Sequence, residues 1–146
     1  MINLARHTNL AWSAGIIDGE GCIFIHLQKR KHRPLPSYVI NLRVKMTHKV
    51  TVNKLQDIFN CGSIYIGKTP KFKNTYSWTV ASTNAEYVIG QILPFLVTKK
   101  EQAETIMEFA SIPKHKGYPG NSRSHEYIER QHSYYLKLKE LKHEGN

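Results

Sequence analysis

The stretch Trp12-Ser13-Ala14-Gly15-Ile16-Ile17-Asp18-Gly19-Glu20-Gly21 sets the frame for the whole chain. With Thr8 or Asn9 as an N-cap and no proline before the Gly19-Glu20-Gly21 cluster, it predicts a short helix over residues 10–18. Ala11, Ala14, Gly15 and Asp18 then fall at i, i+3, i+4 and i+7, a stripe of small side chains that lets another helix come close. Such a stripe serves either the chain's own core or a second copy. Glu20 falls just past the helix end, where a carboxylate opposes the helix dipole. A hard, oxygen-binding cation such as Mg2+ or Mn2+ would favour it there; a solvated loop glutamate is the plain alternative.

Directly after this cluster, residues 22–29 alternate Ile23, Ile25 and Leu27 against Phe24, His26 and Gln28, the period-two pattern of a strand with two different faces. Residues 39–46 repeat it, with Ile40, Leu42, Val44 and Met46 set against Asn41, Arg43 and Lys45. Between them, residues 29–37 carry Lys29, Arg30 and Lys31 with Pro34 and Pro36, which predicts a loop. A second strand pair is expected at 62–67 and 75–81, joined by a basic hairpin loop containing Lys68, Pro70, Lys71 and Lys73.

Val52, Leu55, Ile58 and Phe59 recur at helical spacing within residues 48–60, and Gly62 follows as a stop. Residues 84–96, with Pro94 near the end, and residues 98–112 predict two more helices. A Pro/Gly-containing linker at 114–122 leads to an amphipathic helix over 125–142, bearing Ile128, Tyr135, Leu138 and Leu141. The order is αββαββα with further C-terminal helices. It implies one α+β domain over residues 1–146, with a core at about 8–112 and a C-terminal helix at about 123–143. Its four-stranded antiparallel sheet carries helices on one face only. The other face presents Phe24, His26 and Gln28, then Asn41, Arg43 and Lys45, then Tyr65, Ser77 and Thr79, rows suited to a phosphate backbone rather than to lipid or a second sheet.

Composition agrees with that face. Twenty-one Lys and Arg against eleven Asp and Glu leave a net charge of +10, which calls for an anionic partner. Nucleic acid fits better than a membrane surface, because the basic residues are scattered through strand-like segments and no apolar run is long enough to span a bilayer. Cys22 and Cys61 lack the paired spacing of a zinc ribbon, and the first residues hold no secretory h-region, so an intracellular, reduced protein is expected. No Walker loop, His-Glu-x-x-His helix or Gly-x-Ser-x-Gly elbow is present, and Tyr65-Ile66-Gly67 matches half of the GIY-YIG nuclease signature only at chance level.

Ser13 to Gly21 closely resembles the nine-residue sequence that names the LAGLIDADG homing endonucleases, with Ser13 and Ile16 for Leu, Gly19 for Ala and Glu20 for Asp. The resemblance continues through the turn Asn60-Cys61-Gly62-Ser63-Ile64 to about Ile112. It implies a site-specific double-stranded DNA endonuclease, working as a homodimer because one motif supplies only half of the family's paired helices. The target would be a long pseudo-palindrome read in the major groove, cut to short 3′ overhangs. By the same resemblance Glu20, with the backbone carbonyl of Gly19, holds the divalent metal. Asp18 becomes a helix-end and interface residue as readily as a catalytic one. His48, at the end of the second strand, orients the attacking water and would suit a general base. Lys99, with Lys100 as its neighbour, stabilises phosphate charge. The outward rows and Arg30 would read bases, while Lys29, Lys31, Lys68 and Lys71 hold phosphates.

Two other readings stand beside this one. A module of the same fold could bind without cutting, or act as an RNA maturase that assists the splicing of its own intron RNA. More distantly, a basic ribosome- or chromatin-associated structural protein would explain the charge but leave the motif as coincidence.

Overall fold

Asn3 begins the first helix earlier than the sequence pattern implies. Its side chain accepts the amide of Arg6 at 3.1 Å, and Arg6 in turn reaches Tyr87 Oη at 3.0 Å and Gln91 Oε1 at 2.8 Å. The extra first turn is thereby capped and tied down, so α1 runs Leu4–Glu20 and neither Thr8 nor Asn9 is its cap. At its other end the helix continues two residues beyond the expected Asp18, making Glu20 its last residue. In the computed structural model, residues 3–32, 35–113 and 125–144 are described; the expected linker at 114–122 and Pro34 lie outside them.

The chain then runs β1 (Gly21–Gln28), β2 (Ser37–Met46), α2 (Lys49–Phe59), β3 (Ser63–Gly67), β4 (Thr75–Ala81), α3 (Ser82–Ile92), a 3-10 turn (Leu93–Phe95), α4 (Lys100–Ala110) and α5 (His125–Glu144). Pro94, which lacks the amide that a continuing helix needs, sits in the 3-10 turn, so α3 ends at Ile92 rather than near residue 96. The strands form one antiparallel sheet in the order β1-β2-β4-β3.

Alternation divides that sheet into a dry and a wet face. Ile23, Ile25, Ile40, Leu42, Val44, Trp78 and Val80 are buried against the helices, joined there by Leu10, Ala14 and Ile17 of α1 and by Val52 and Leu55 of α2. Burying these side chains contributes about 1.5–3 kcal/mol for each large one and is what holds the layers together. A tight turn positions β3 on the edge. Asn60 (φ 53°) and Gly62 (φ 89°) are both left-handed, and a Cβ on Gly62 would lie 2.5 Å from Trp78 Nε1. Trp78 Nε1 donates to Cys61 O at 2.9 Å and stacks on Phe59, which locks α2 to β4. At the other end of the domain, α5 docks through Ile128 and Leu138, and Tyr38 Oη meets His132 Nδ1 at 2.8 Å.

Candidate functional site

The register of the sheet assembles the open face in cross-strand rows. Phe24 pairs with Asn41 and Ala81, Cys22 with Arg43, Thr79 and Ser63, and Lys45 with Ser77 and Tyr65. Every expected outward strand residue, from Phe24, His26 and Gln28 to Tyr65, Ser77 and Thr79, therefore lies on the side away from the core. Arg43 is held in place. Its guanidinium lies 5.5 Å from the centre of the Phe24 ring, which makes Phe24 a support for a cation as well as a surface residue. Lys142 of α5 reaches the same ring at 5.4 Å and donates to Cys22 Sγ at 3.2 Å. No pattern in the sequence links Lys142 to a strand 120 residues away. Arg30, Lys29, Lys31, Lys68 and Lys71 are exposed on the two loops that extend the face, and Asn41 spends part of its amide on Val39 O at 3.1 Å.

At one end of this face, three sequence-distant elements meet. The Asp18 carboxylate accepts the amide of Val97 at 2.8 Å and that of Lys99 at 3.0 Å, so α1 caps α4, whose own N-cap residue Lys99 offers no side-chain cap. Lys99 Nζ donates back to the Asp18 carbonyl at 2.6 Å, a cation on the negative end of the α1 dipole. That clamp places the Lys99 ammonium on the last turn of the helix that Glu20 ends. Glu20 itself is exposed, and the one ion pair among the described residues, Lys137 with Glu108, lies elsewhere. His48 stands at the same end of the sheet, two residues beyond the Met46 that closes β2.

The family model of the LAGLIDADG endonucleases matches residues 13–111. The chain belongs to that family. Its fold resembles the homing endonuclease I-CvuI solved with its target in the presence of Ca (TM-score 0.78, 22% identity, 95% of this chain and 85% of that one). It also resembles the archaeal intron-encoded homing endonuclease I-Vdi141I complexed with DNA (TM-score 0.72, 14% identity, 92% of this chain and 84% of that one). With the LAGLIDADG enzyme I-GzeII, solved in complex with a DNA target, it shares 19% identity at a TM-score of 0.63, covering 89% of this chain but 43% of that one. Comparison with curated protein sequences finds no match.

Within this LAGLIDADG fold, three expectations change. Ala14 is fully buried in the chain's own core, because Leu10, Ser13, Ala14 and Ile17 form the inward face of α1. Asp18 has both carboxylate oxygens engaged by the α4 clamp, which gives it a positioning role within its own chain. The outward small residues are Ala11, Gly15 and Gly19, spaced by four. His48 is the third change. It caps α2, its Nδ1 accepting the Thr51 amide at 3.3 Å and lying 2.7 Å from Thr51 Oγ1. A neutral imidazole whose Nδ1 accepts carries its proton on Nε2, so the open edge of His48 offers a donor to water or phosphate rather than a base.

The residues at the α1 end fit a hard cation. The Glu20 carboxylate and the Gly19 carbonyl are oxygen donors at a helix terminus that favours positive charge, while the Ile17 and Asp18 carbonyls of the same turn accept the Gly21 amide and Lys99 Nζ. Among the described residues no group of three or more His, Cys, Asp and Glu could hold a metal ion.

Asp18→Ala is expected to lower the unfolding free energy by about 1–2 kcal/mol, since it strips the cap from α4. Lys99→Ala, which keeps both capped amides, should leave it nearly unchanged. Urea denaturation of the two variants side by side separates the clamp from the lysine's own contribution.

Proposed function

We propose that the chain cuts both strands of duplex DNA at one long, near-palindromic site as a homodimer, with a divalent cation held at Glu20. What carries the reading is an exposed carboxylate, without an ion pair among the described residues, at the end of a motif helix whose last turn also holds a clamped lysine, next to a basic sheet face. The net charge of +10 supplies the long-range attraction to a polyanion.

Glu20 and the Gly19 carbonyl are the groups that would hold Mg2+ or Mn2+, and the cation would supply an activated water and charge neutralisation at the scissile phosphate. The chain's own residues do the rest. Lys99, fixed by Asp18, is placed to bind a phosphate oxygen as negative charge develops. His48 orients water through its Nε2 proton while Nδ1 remains in the α2 cap. Arg43, propped on Phe24, offers a rigid fork for a base edge, with Gln28 and Asn41 on neighbouring strands, while Lys29, Lys31, Lys68 and Lys71 hold the backbone.

Dimerisation is supported by two glycines that the chain's own fold does not require. A Cβ on Gly15 or on Gly19 would meet nothing within 4 Å, yet glycine inside a helix costs about 1 kcal/mol relative to alanine. With Ala11 they leave a smooth strip on which a second α1 can lie at short interaxial distance. The 43% coverage of I-GzeII, a chain more than twice as long, is in keeping with a single-motif chain supplying half of such an assembly. A maturase acting on its own intron RNA could use the same basic face but would have no need for Glu20.

Glu20→Gln should bind the target with near wild-type affinity and leave it uncut, because it keeps the shape and removes the charge that holds the cation. Gel shift and plasmid cleavage on the same preparation check this, and normal cutting by the variant would sink the assigned site. Gly15→Leu should fold cooperatively, with a thermal midpoint that no longer depends on protein concentration, and sediment as a monomer in analytical ultracentrifugation; a dimer of undiminished stability would place the interface elsewhere.

A further inference from the structure

The tip of the β3–β4 hairpin carries an aromatic side chain that neither the core nor the catalytic end uses. Phe72 is 76% exposed, although it is one of only five phenylalanines in the chain and the others pack on the core or support a cation. It is the last residue of the turn 69–72, closed by a hydrogen bond from Phe72 N to Thr69 O at 3.1 Å, with Pro70 fixing the second position. The ring is thus presented by an ordered turn, and Lys68, Lys71 and Lys73 surround it in sequence, all exposed. Strand register sets the hairpin at the end of the sheet that bears Gly21 and Met46, because Thr75 lies next to Tyr76, the partner of Met46. An apolar side chain ringed by cations suits a surface that is itself both anionic and locally apolar.

Duplex DNA has one such feature in the major groove, the C5 methyl group of thymine set between phosphate rows. We infer that Phe72 is a specificity-determining residue that contacts a thymine methyl at one fixed position in each half-site, while Lys71 and Lys73 bind the flanking phosphates. The inference rests on the duplex-DNA reading above and deepens it. Each contact buries about one methyl group, so its loss should weaken binding roughly four-fold per half-site and about sixteen-fold for the two together, enough to erase a base preference at that position without abolishing the complex.

The test uses two randomised duplex libraries, one synthesised with thymidine and one with deoxyuridine, which lacks only the methyl group. Wild-type protein, Phe72→Ala and Phe72→Leu are each used to select bound duplexes in EDTA, and the selected sequences are read. For wild type and the thymidine library, a near-palindrome with a paired thymine preference is expected. That preference should vanish in the deoxyuridine library and with Phe72→Ala, survive in part with Phe72→Leu, and leave the remaining positions of the consensus unchanged. A wild-type consensus identical in the two libraries, or one that Phe72→Ala reproduces in full, would overturn the inference while leaving the DNA reading standing. Failure of the wild type to enrich any sequence would bring down the DNA reading and this inference together.

Discussion

One carboxylate ties the motif helix to the element that completes the candidate site. Asp18 accepts the amides of Val97 and Lys99, and Lys99 Nζ returns the contact to the Asp18 carbonyl. Three consequences follow from a single side chain. The start of α4 is capped, the lysine is fixed at the carbonyl two residues before Glu20, and Glu20 makes no ion pair among the described residues. Two acids separated by one glycine therefore take opposite roles, the first structural and inward, the second exposed and available to a cation. The glycine between them is outward as well, which keeps the end of α1 open to a close neighbour.

The sheet shows the same division of labour at a larger scale. Strict alternation puts Ile23, Leu42, Val44, Trp78 and Val80 under the helices and leaves arginine, lysine, amide and hydroxyl side chains on the far side. A wet antiparallel face of this kind is stable in water, so its basic charge is not imposed by folding. Folding fixes where the charges sit. Phe24 supports Arg43, and α5 sends Lys142 around the β1 edge to the same ring, so the far end of the chain contributes to a face built mainly from strands.

Much of this was legible in the residues because it depends on short-range periodicity. The four strands and their outward rows follow from period-two alternation, and the α+β order follows from where that alternation gives way to helical spacing. The helix starts were less legible. Asn3 is as ordinary a cap residue as Thr8 or Asn9, and its selection depends on Arg6 finding Tyr87 and Gln91 more than 80 residues later. Within the stripe Ala11, Ala14, Gly15 and Asp18, Ala11 and Gly15 face outward but Ala14 lies in the core, since glycine and alanine carry little hydrophobic signal to distinguish a core position from an interface. Asp18 as a clamp and His48 as a cap with its Nδ1 occupied are tertiary facts, decided by amides that no spacing rule connects. Lys99 came from the family resemblance rather than from any local pattern, Glu20 from that resemblance together with its place at the helix end, and the clamp ties Lys99 to the helix that Glu20 ends.

The most direct measurement is incubation of the purified protein with a randomised plasmid library in Mg2+, with and without EDTA, followed by sequencing of the broken ends. Metal-dependent breaks on both strands at one long sequence with matching halves are expected, as two copies of a Glu20-bearing helix end related by a two-fold axis require. Stable binding with no breaks in Mg2+, or breaks at a sequence whose halves are unrelated, would contradict a symmetric, metal-assisted site built from this chain alone.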